Sequence, residues 1–470
     1  VIKAMNSFQD GSDLLKVVSI FLFVVAGVTL QSIAQSPIRI DSFNIRVEGL
    51  EECSRIYKQD DLFYLSESNN NYLLVYEYRE GTLKPVRKIA LHHKSGKKWG
   101  LTATAFVDIL LHQRGILAKH SGFNLNFHDP MTGNATIQIN VNSPARDYAF
   151  TDEQKRQYRE DNFYQHSFVA DGNQVFWTLR RINDDIRLGT PEAAAYFKYC
   201  DSIYYQSGNK LCLKFTLPQT PKPNPIVTWV TPDGFIGKSD SVLFQISQKG
   251  YYSPYNIHTN ISIDTVADRL FLNQYASPVI RVYDYQGKYL KSFGEKGKHL
   301  TARDSIFLIP KSFVDWMIHL PKSKKQKTKF IPNEQVKKFA DLLGLQDTVE
   351  LNGLFGCLNR LSKDLSVQYL QLYYDHHSGT TYRIYKAPLR DINLKEYVQK
   401  ITQSYQEVTD QHFTLPQDYF LQIYDPKGQL LQDFPLPSNF SFITVDQEGT
   451  VWGFRTKTDH QIVIYKIKPE

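Results

Sequence analysis

The apolar and polar positions of this chain fall into a short repeating arrangement. Val282–Phe293, VYDYQGKYLKSF, and Ile423–Phe434, IYDPKGQLLQDF, align without gaps, with Tyr, Asp, Gly, Leu and Phe coinciding. Each reads as an apolar strand, a tight turn closed by Gly and a second strand. The Asp can accept hydrogen bonds from amides of its own turn, and Gly takes up positive φ at little cost. Val75–Leu83, VYEYREGTL, is a longer version, and Phe127–Ile137 and Tyr373–Tyr382 are looser ones. A second unit is strand, acidic turn, strand. Phe168–Leu179, FVADGNQVFWTL, and Ile443–Phe454, ITVDQEGTVWGF, both end on a Trp-bearing strand, and Ile261–Leu272 and Tyr57–Leu65 follow the same plan. In the central copy the two units join, so that the Asp264 turn, a strand to Asn273, a strand from Val279 and the Gly287 hairpin make a four-stranded meander. About 40 residues per meander is the size of a propeller blade.

The run VYDYQGKYLKSFGEKGKH, Val282 to His299, resembles blades of the exported bacterial six-bladed β-propellers of the TolB-like and NHL-like type. The resemblance implies an all-β fold of six blades, each of four antiparallel strands, and no activity, because the shared residues shape turns. Residues 35–470 spread over six blades give about 73 residues each, against 40–45 for a regular repeat. The surplus reads as helical insertions near 151–164, 190–206, 333–344 and 393–408 of a single domain. Thr151 to Gln154 has capping-box form. Thr190-Pro191 starts the second, with Tyr196, Tyr199, Cys200 and Ile203 at helical spacing. Val336, Phe339, Ala340 and Leu343 share one face of the third, which Gly344 ends. Asn393 opens the fourth, carrying Tyr397, Val398, Ile401 and Tyr405. The last blade is one strand short, since Ile443–Phe454 and Ile462–Ile467 supply three. Ile38–Val47, IRIDSFNIRV, is expected to complete it from the other end of the chain.

Composition adds an address. Val17–Leu30, VVSIFLFVVAGVTL, follows Lys16 and carries no charge. It is shorter than the roughly 20 residues of a membrane span and has the length of a signal-peptide core. Ser32-Ile33-Ala34 places the expected cleavage after Ala34, so that residues 1–34 are read as a signal peptide. No Cys follows the apolar run before Cys53, which excludes the lipoprotein signal and leaves a periplasmic, cell-surface or extracellular protein with no transmembrane segment in its mature part. The 470 residues hold 55 Lys and Arg against 48 Asp and Glu, hence +7, a diffuse basicity that does not of itself indicate nucleic acid. With 29 Phe and 29 Tyr but 3 Met, the composition favours sheet. Cys53, Cys200, Cys212 and Cys357 show neither a CxxC pair nor zinc spacing, and export permits one bond without requiring it.

Candidate chemistry is sparse. Gly294-Glu295-Lys296-Gly297-Lys298-His299 has two residues between its glycines where a phosphate loop needs four, and reads as an inter-blade loop. Neighbours on a strand point to opposite faces, so a doublet such as His92-His93 does not readily supply two ligands to one metal, and His376-His377, between Asp375 and Gly379, reads as solvated residues of a turn. Lys322–Lys329, KSKKQKTK, reads as a solvated loop or a polyanion contact. Asn134, Asn260 and Asn439 stand in glycosylation triplets. No Gly-x-Ser-x-Gly elbow is present. No catalytic residue, metal set or cofactor motif emerges. The expectation is a monomeric, non-catalytic scaffold binding a protein, peptide or glycan, with nucleic acid disfavoured. The alternative is an enzyme at the channel mouth, a metal-dependent lactonase or hydrolase or a lyase.

Overall fold

The computed structural model describes residues 39–46, 53–67, 72–79, 82–95, 98–101, 106–112, 115–120, 124–140, 164–172, 174–180, 212–216, 226–230, 251–252, 259–305, 307–310, 312–313, 334–344, 354–406, 417–437, 440–457 and 461–468. The architecture is all-β, built of antiparallel four-stranded sheets in a propeller arrangement. The first blade is Cys53–Gln59, Leu62–Glu67, Tyr72–Arg79 and Thr82–Ala90, and the second is Phe106–His112, Gly115–His120, Asn124–His128 and Ala135–Asn140. The third is Tyr164–Asp171, Gln174–Arg180, Cys212–Thr216 and Ile226–Val230, and the fourth Thr259–Asp264, Arg269–Gln274, Ile280–Asp284 and Tyr289–Phe293. The fifth is Gln368–Tyr374, Thr381–Lys386, Tyr419–Tyr424 and Leu430–Leu436.

Five blades, rather than the expected six, are thus continuous in sequence. The remaining four-stranded sheet is composite, made of Ser441–Val445, Val451–Lys457, Gln461–Lys468 and, at its outer edge, Arg39–Arg46. Arg39 pairs with Lys468 and the register runs unbroken to Arg46 opposite Gln461. Arg39–Arg46 covers the edge of Gln461–Lys468, which unpaired would leave a row of backbone groups open. The segment expected to close the ring does pair there.

Where the packing is described, a blade buries its faces against its neighbours, which is why its strands carry two apolar sets. Ile56, Phe63, Leu65 and Tyr76 of the first blade pack with Ile443, Trp452, Phe454, Ile462 and Ile464 of the composite sheet. Tyr382, Ile384, Leu421, Ile423 and Phe434 of the fifth blade meet Val445, Val451, Val463, Tyr465 and Ile467 on its other side. Phe271, Ile280 and Val282 of the fourth blade pack with Leu372 and Tyr424 of the fifth. Buried apolar area of this kind, at about 25 cal/mol per Å2, is the main stabilising term of the ring.

In such a meander the connections after the first and third strands lie at one end and those after the second and fourth at the other. At the first end, hereafter the turn end, Asp284 Oδ1 accepts from the amides of Gln286 and Lys288 at 3.0 and 2.8 Å, and Gly287 takes φ 88°. Asp425 Oδ1 accepts from Gln429 at 2.7 Å, with Gly428 at φ 90°. Asp446 repeats the device with Glu448 and Thr450. The other end, the loop end, carries the long connections: 294–367 between the fourth and fifth blades and 387–418 inside the fifth.

Among the described residues, those two connections carry the helices α1 (Glu334–Leu343), α2 (Leu354–Asp364) and α3 (Leu394–Gln406). α1 buries Val336, Phe339, Ala340 and Leu343, the face that the spacing indicates, and Gly344 follows at φ 69°. Asn393 caps α3, its Oδ1 accepting from the Glu396 amide at 3.4 Å, while Tyr397, Val398 and Ile401 are buried. α2 has no counterpart among the expected insertions. The insertions expected near 151–164 and 190–206 lie outside the described residues, save Tyr164, which opens a strand. Residues 1–34 and Cys200 also lie outside them. A two-stranded hairpin, His92–Ser95 with Lys98–Leu101, follows the first blade and was not expected.

Candidate functional site at the loop end of the fourth and fifth blades

Two buried cations stand three residues apart on Thr381–Lys386, a strand buried along its whole length. Arg383 turns toward the fourth blade. Its Nε and Nη2 donate to Gln422 Oε1 at 3.0 and 2.5 Å. Nη2 also donates to Tyr424 Oη at 2.5 Å and to the Glu295 carbonyl at 2.9 Å, and Nη1 donates to the Pro278 carbonyl. The guanidinium lies 4.5 Å from the centre of the Tyr369 ring. Burial lowers its pKa, opposed by the tyrosines and Asp433 around it. The planar fork of Arg, with five donors, is the group that can satisfy two backbone carbonyls and a side-chain amide at once.

Asp433 continues this network. Its Oδ1 accepts from Tyr385 Oη at 2.9 Å, and its Oδ2 accepts from the Lys298 amide at 2.8 Å and from Gln422 Nε2 at 3.1 Å. The Gly294–His299 segment is therefore an inter-blade loop, as expected. Gly294 sits at φ 100°, and a β-carbon there would fall 2.6 Å from the Pro278 carbonyl oxygen. A β-carbon on Gly297 would run into the Tyr385 ring. Both glycines are needed for close approach, and no phosphate cradle is formed. His299 stacks on Phe420, with ring centres 4.6 Å apart.

Lys386 turns the other way, beneath the helices. Its Nζ donates to the Lys363 carbonyl in the last turn of α2 and to Gln417 Oε1 at 2.9 Å, with Asp364 Oδ1 at 4.0 Å. Asp364 accepts from Tyr397 Oη of α3 and from Gln417 Nε2 at 2.8 Å, and Arg360 Nε lies 3.5 Å from it. Burial drives the Lys386 pKa down to about 7, against the pull of Asp364, while neighbouring Lys363 lowers it further. A cation at a helix C-terminus is favourably placed against the helix dipole. Buried in this way, Lys386 ties α2 and α3 to the fifth blade.

Nearer the inner strands, three buried amides have spare hydrogen-bonding capacity. Asn273 Nδ2 donates to the Tyr369 carbonyl at 2.7 Å, but its Oδ1 has no partner among the described residues, and neither do Gln274 Nε2 and Gln368 Nε2. Gln274 ends the second strand of the fourth blade and Gln368 begins the first strand of the fifth, so all three stand at the loop end. Buried polar atoms left open are costly and are normally filled by ordered water or a bound group.

The remaining sequence candidates are dispersed. His376 and His377 sit exposed in a turn-end loop with rings 4.0 Å apart. His92 and His93 lie on the hairpin, and Lys322–Lys329 lies outside the described residues. Among the described residues no three His, Cys, Asp or Glu side chains are grouped so as to hold a metal ion, and no helix is long and apolar enough to cross a membrane. Sequence reasoning missed Arg383, Lys386, Asp364, Gln417 and Asp433. The one available signal was a strand, TYRIYK, lying directly before a helical insertion that would cover its polar face.

The chain is similar over most of its length to a member of the DUF4221 family from Bacteroides vulgatus, at 10 % identity and TM-score 0.51, covering 92 % of this chain and 99 % of that one. The likeness is one of fold. Virginiamycin B lyase from Staphylococcus aureus aligns at 6 % identity and TM-score 0.36, covering 91 % of this chain and 99 % of that one. A luciferin-regenerating enzyme aligns at 6 % and 0.38, covering 91 % and 95 %. At those scores neither bears on mechanism. No family model matches the chain, and no curated protein matches it.

Proposed function

We propose that this chain is an exported, monomeric six-bladed propeller that acts as a non-catalytic scaffold, binding a protein, peptide or glycan at its loop end. The observation that carries the reading is the asymmetry of the two ends: tight Asp-closed turns at one, long helix-bearing connections at the other. Long connections held on a rigid sheet scaffold are where binding residues collect. The open amide atoms of Asn273, Gln274 and Gln368 at the same end suit a ligand rich in both donors and acceptors, as peptides and glycans are. Counting the composite sheet as the sixth blade is supported by the inner strands. Cys53–Gln59 touches both Ser441–Val445 and Phe106–His112, and Gln368–Tyr374 touches both Thr259–Asp264 and Ser441–Val445. Export is supported by the uncharged run Val17–Leu30 ahead of Ser32-Ile33-Ala34.

The test is a glycan and peptide array probed with the purified full chain, followed by the same array with Gln368→Ala and, as a turn-end control, Gln286→Ala. Retention of a defined ligand class that Gln368→Ala weakens and Gln286→Ala does not is expected. Turnover of a lactone or glycan by the same preparation, dependent on added divalent cation, would overturn the scaffold reading in favour of the enzymatic one.

A further inference from the structure

The longest described strand of the ring is Thr82–Ala90, the outer edge of the first blade, and its sequence is TLKPVRKIA. From Gly81 to Val107 the chain holds six Lys and Arg (Lys84, Arg87, Lys88, Lys94, Lys97 and Lys98) and no Asp or Glu. Lys84 and Lys88 are exposed, and Lys88 Nζ stands 3.4 Å over the Tyr72 ring. The strand also carries a bulge: Arg87 pairs with Val75 and Pro85 with Tyr76, which leaves Val86 as the extra residue, 52 % exposed.

The second blade brings a further apolar group to this edge. Gly133, at φ 73°, packs so closely on the Ala90 carbonyl that no β-carbon fits, and this fixes the turn 129–134 against the strand. Met131 in that turn is 72 % exposed, and Arg87 Nη1 lies 3.0 Å from its sulfur. Two acids lie nearby: Asp129 is committed to its own turn, accepting from the amides of Met131 and Thr132, and Glu77, opposite Lys84 in the ladder, pairs with Arg79 at 2.7 Å.

Lysines, a proline and a bulge on an edge strand are devices that block strand pairing, and that accounts for Lys84, Pro85 and Lys88. It does not account for two large apolar side chains held out among them. Exposed apolar groups set within a basic patch are the signature of a surface that meets anionic lipid, where the cations meet headgroups and the apolar groups enter the interface. A polyanionic sugar or nucleic acid would use the cations and leave Val86 and Met131 in water. We propose that the outer edge of the first blade, through Lys84, Val86, Arg87, Lys88 and Met131, docks the protein peripherally on an anionic lipid surface.

The test is co-sedimentation of the full chain with phosphatidylcholine vesicles, with and without phosphatidylglycerol, across a salt series. Because Val17–Leu30 can itself partition into vesicles, each variant is compared with the parent chain in the same vesicles. The Lys84→Ser/Lys88→Ser variant should lose about 25-fold in affinity for anionic vesicles, about fivefold for each cation, and most of the salt dependence. The Val86→Ser/Met131→Ser variant should lose roughly tenfold, and Lys84→Arg/Lys88→Arg should bind as the parent does. Melting temperatures serve as the folding control, since all four side chains are exposed. Unchanged vesicle binding in the first two variants overturns the proposal. So does self-association of the Lys84→Ser/Lys88→Ser variant with vesicle binding intact, which would leave edge protection as the whole role. Loss of binding to heparin with vesicle binding intact would assign the patch to an acidic glycan and overturn it equally.

Discussion

At the turn end, Asp284 closes its hairpin through amides two and four residues away. At the loop end, Arg383 reaches Pro278 and Glu295, 105 and 88 residues away. The first kind of bond forms within one supersecondary unit and costs little chain entropy, while the second exists only once two blades and the segment between them have met. Losing a turn-end bond should loosen one hairpin. Losing a loop-end bond leaves several buried groups open together, and because Arg383 holds the Gly294–His299 loop while Lys386 seats α2 and α3, it disturbs the face read here as the binding face.

The largest effect that would break this comparison is expected from ring closure, the most long-range pairing of all. Deleting residues 35–47 removes Arg39–Arg46 from its ladder on Gln461–Lys468. The truncated chain should unfold with lower cooperativity and aggregate, as seen by calorimetry and light scattering. A sharp transition like that of the parent would show that the composite sheet does not need its fourth strand.

Next comes Arg383→Met, which fills the space but takes the guanidinium donor from the Pro278 and Glu295 carbonyls and leaves Gln422 Oε1 with Tyr424 Oη alone. Loss of about 3 kcal/mol or more in denaturant unfolding is expected, since each open buried group costs roughly 1–3 kcal/mol. Gly297→Ala, which drives a β-carbon into Tyr385, should cost about 1–3 kcal/mol by overpacking.

Lys386 sharpens the contrast through pH. Its pKa is about 7 in the folded chain and near 10.5 when unfolded. Between those values the unfolded chain binds the extra proton, so this group makes stability rise with pH across that window by a few kcal/mol, with no contribution to the slope below it. Chemical unfolding measured from pH 7 to 10 should show the rise in the parent and a flatter profile in Lys386→Met. Identical slopes would remove Lys386 from the account. The smallest effect belongs to the turn end, where Asp284→Ala should cost about 1 kcal/mol and leave the fifth blade and its helices undisturbed in hydrogen exchange.

The same division governs what can be read from sequence. The Asp and Gly of the Val282–Phe293 and Ile423–Phe434 hairpins mark their turns by local chemistry, and the structure has strands and turns there. Ile38–Val47 was legible for a topological reason, as a leftover strand facing a sheet one strand short. The face of α1 was legible from its helical spacing. α2 was not, because Gly353 and Gly356 interrupt a short apolar pattern and its burial depends on α3 and the fifth blade. Thr381–Lys386 was not legible for the opposite reason. Polar residues alternating with Tyr and Ile look like a solvated face, yet the Gly294–His299 loop covers Arg383 and α2 covers Lys386. Gly297 likewise carries no local mark of the tyrosine it must admit.

The central claim is that the loop end is the working face. Its most direct test is hydrogen exchange on the full chain with and without a glycan or peptide retained on the array. The account predicts slowed exchange at 294–305, at Gln368 and Tyr369 and at the start of α3, with the 284–289 and 425–430 turns unchanged. Protection confined to those turns, or spread evenly around the ring, would contradict it.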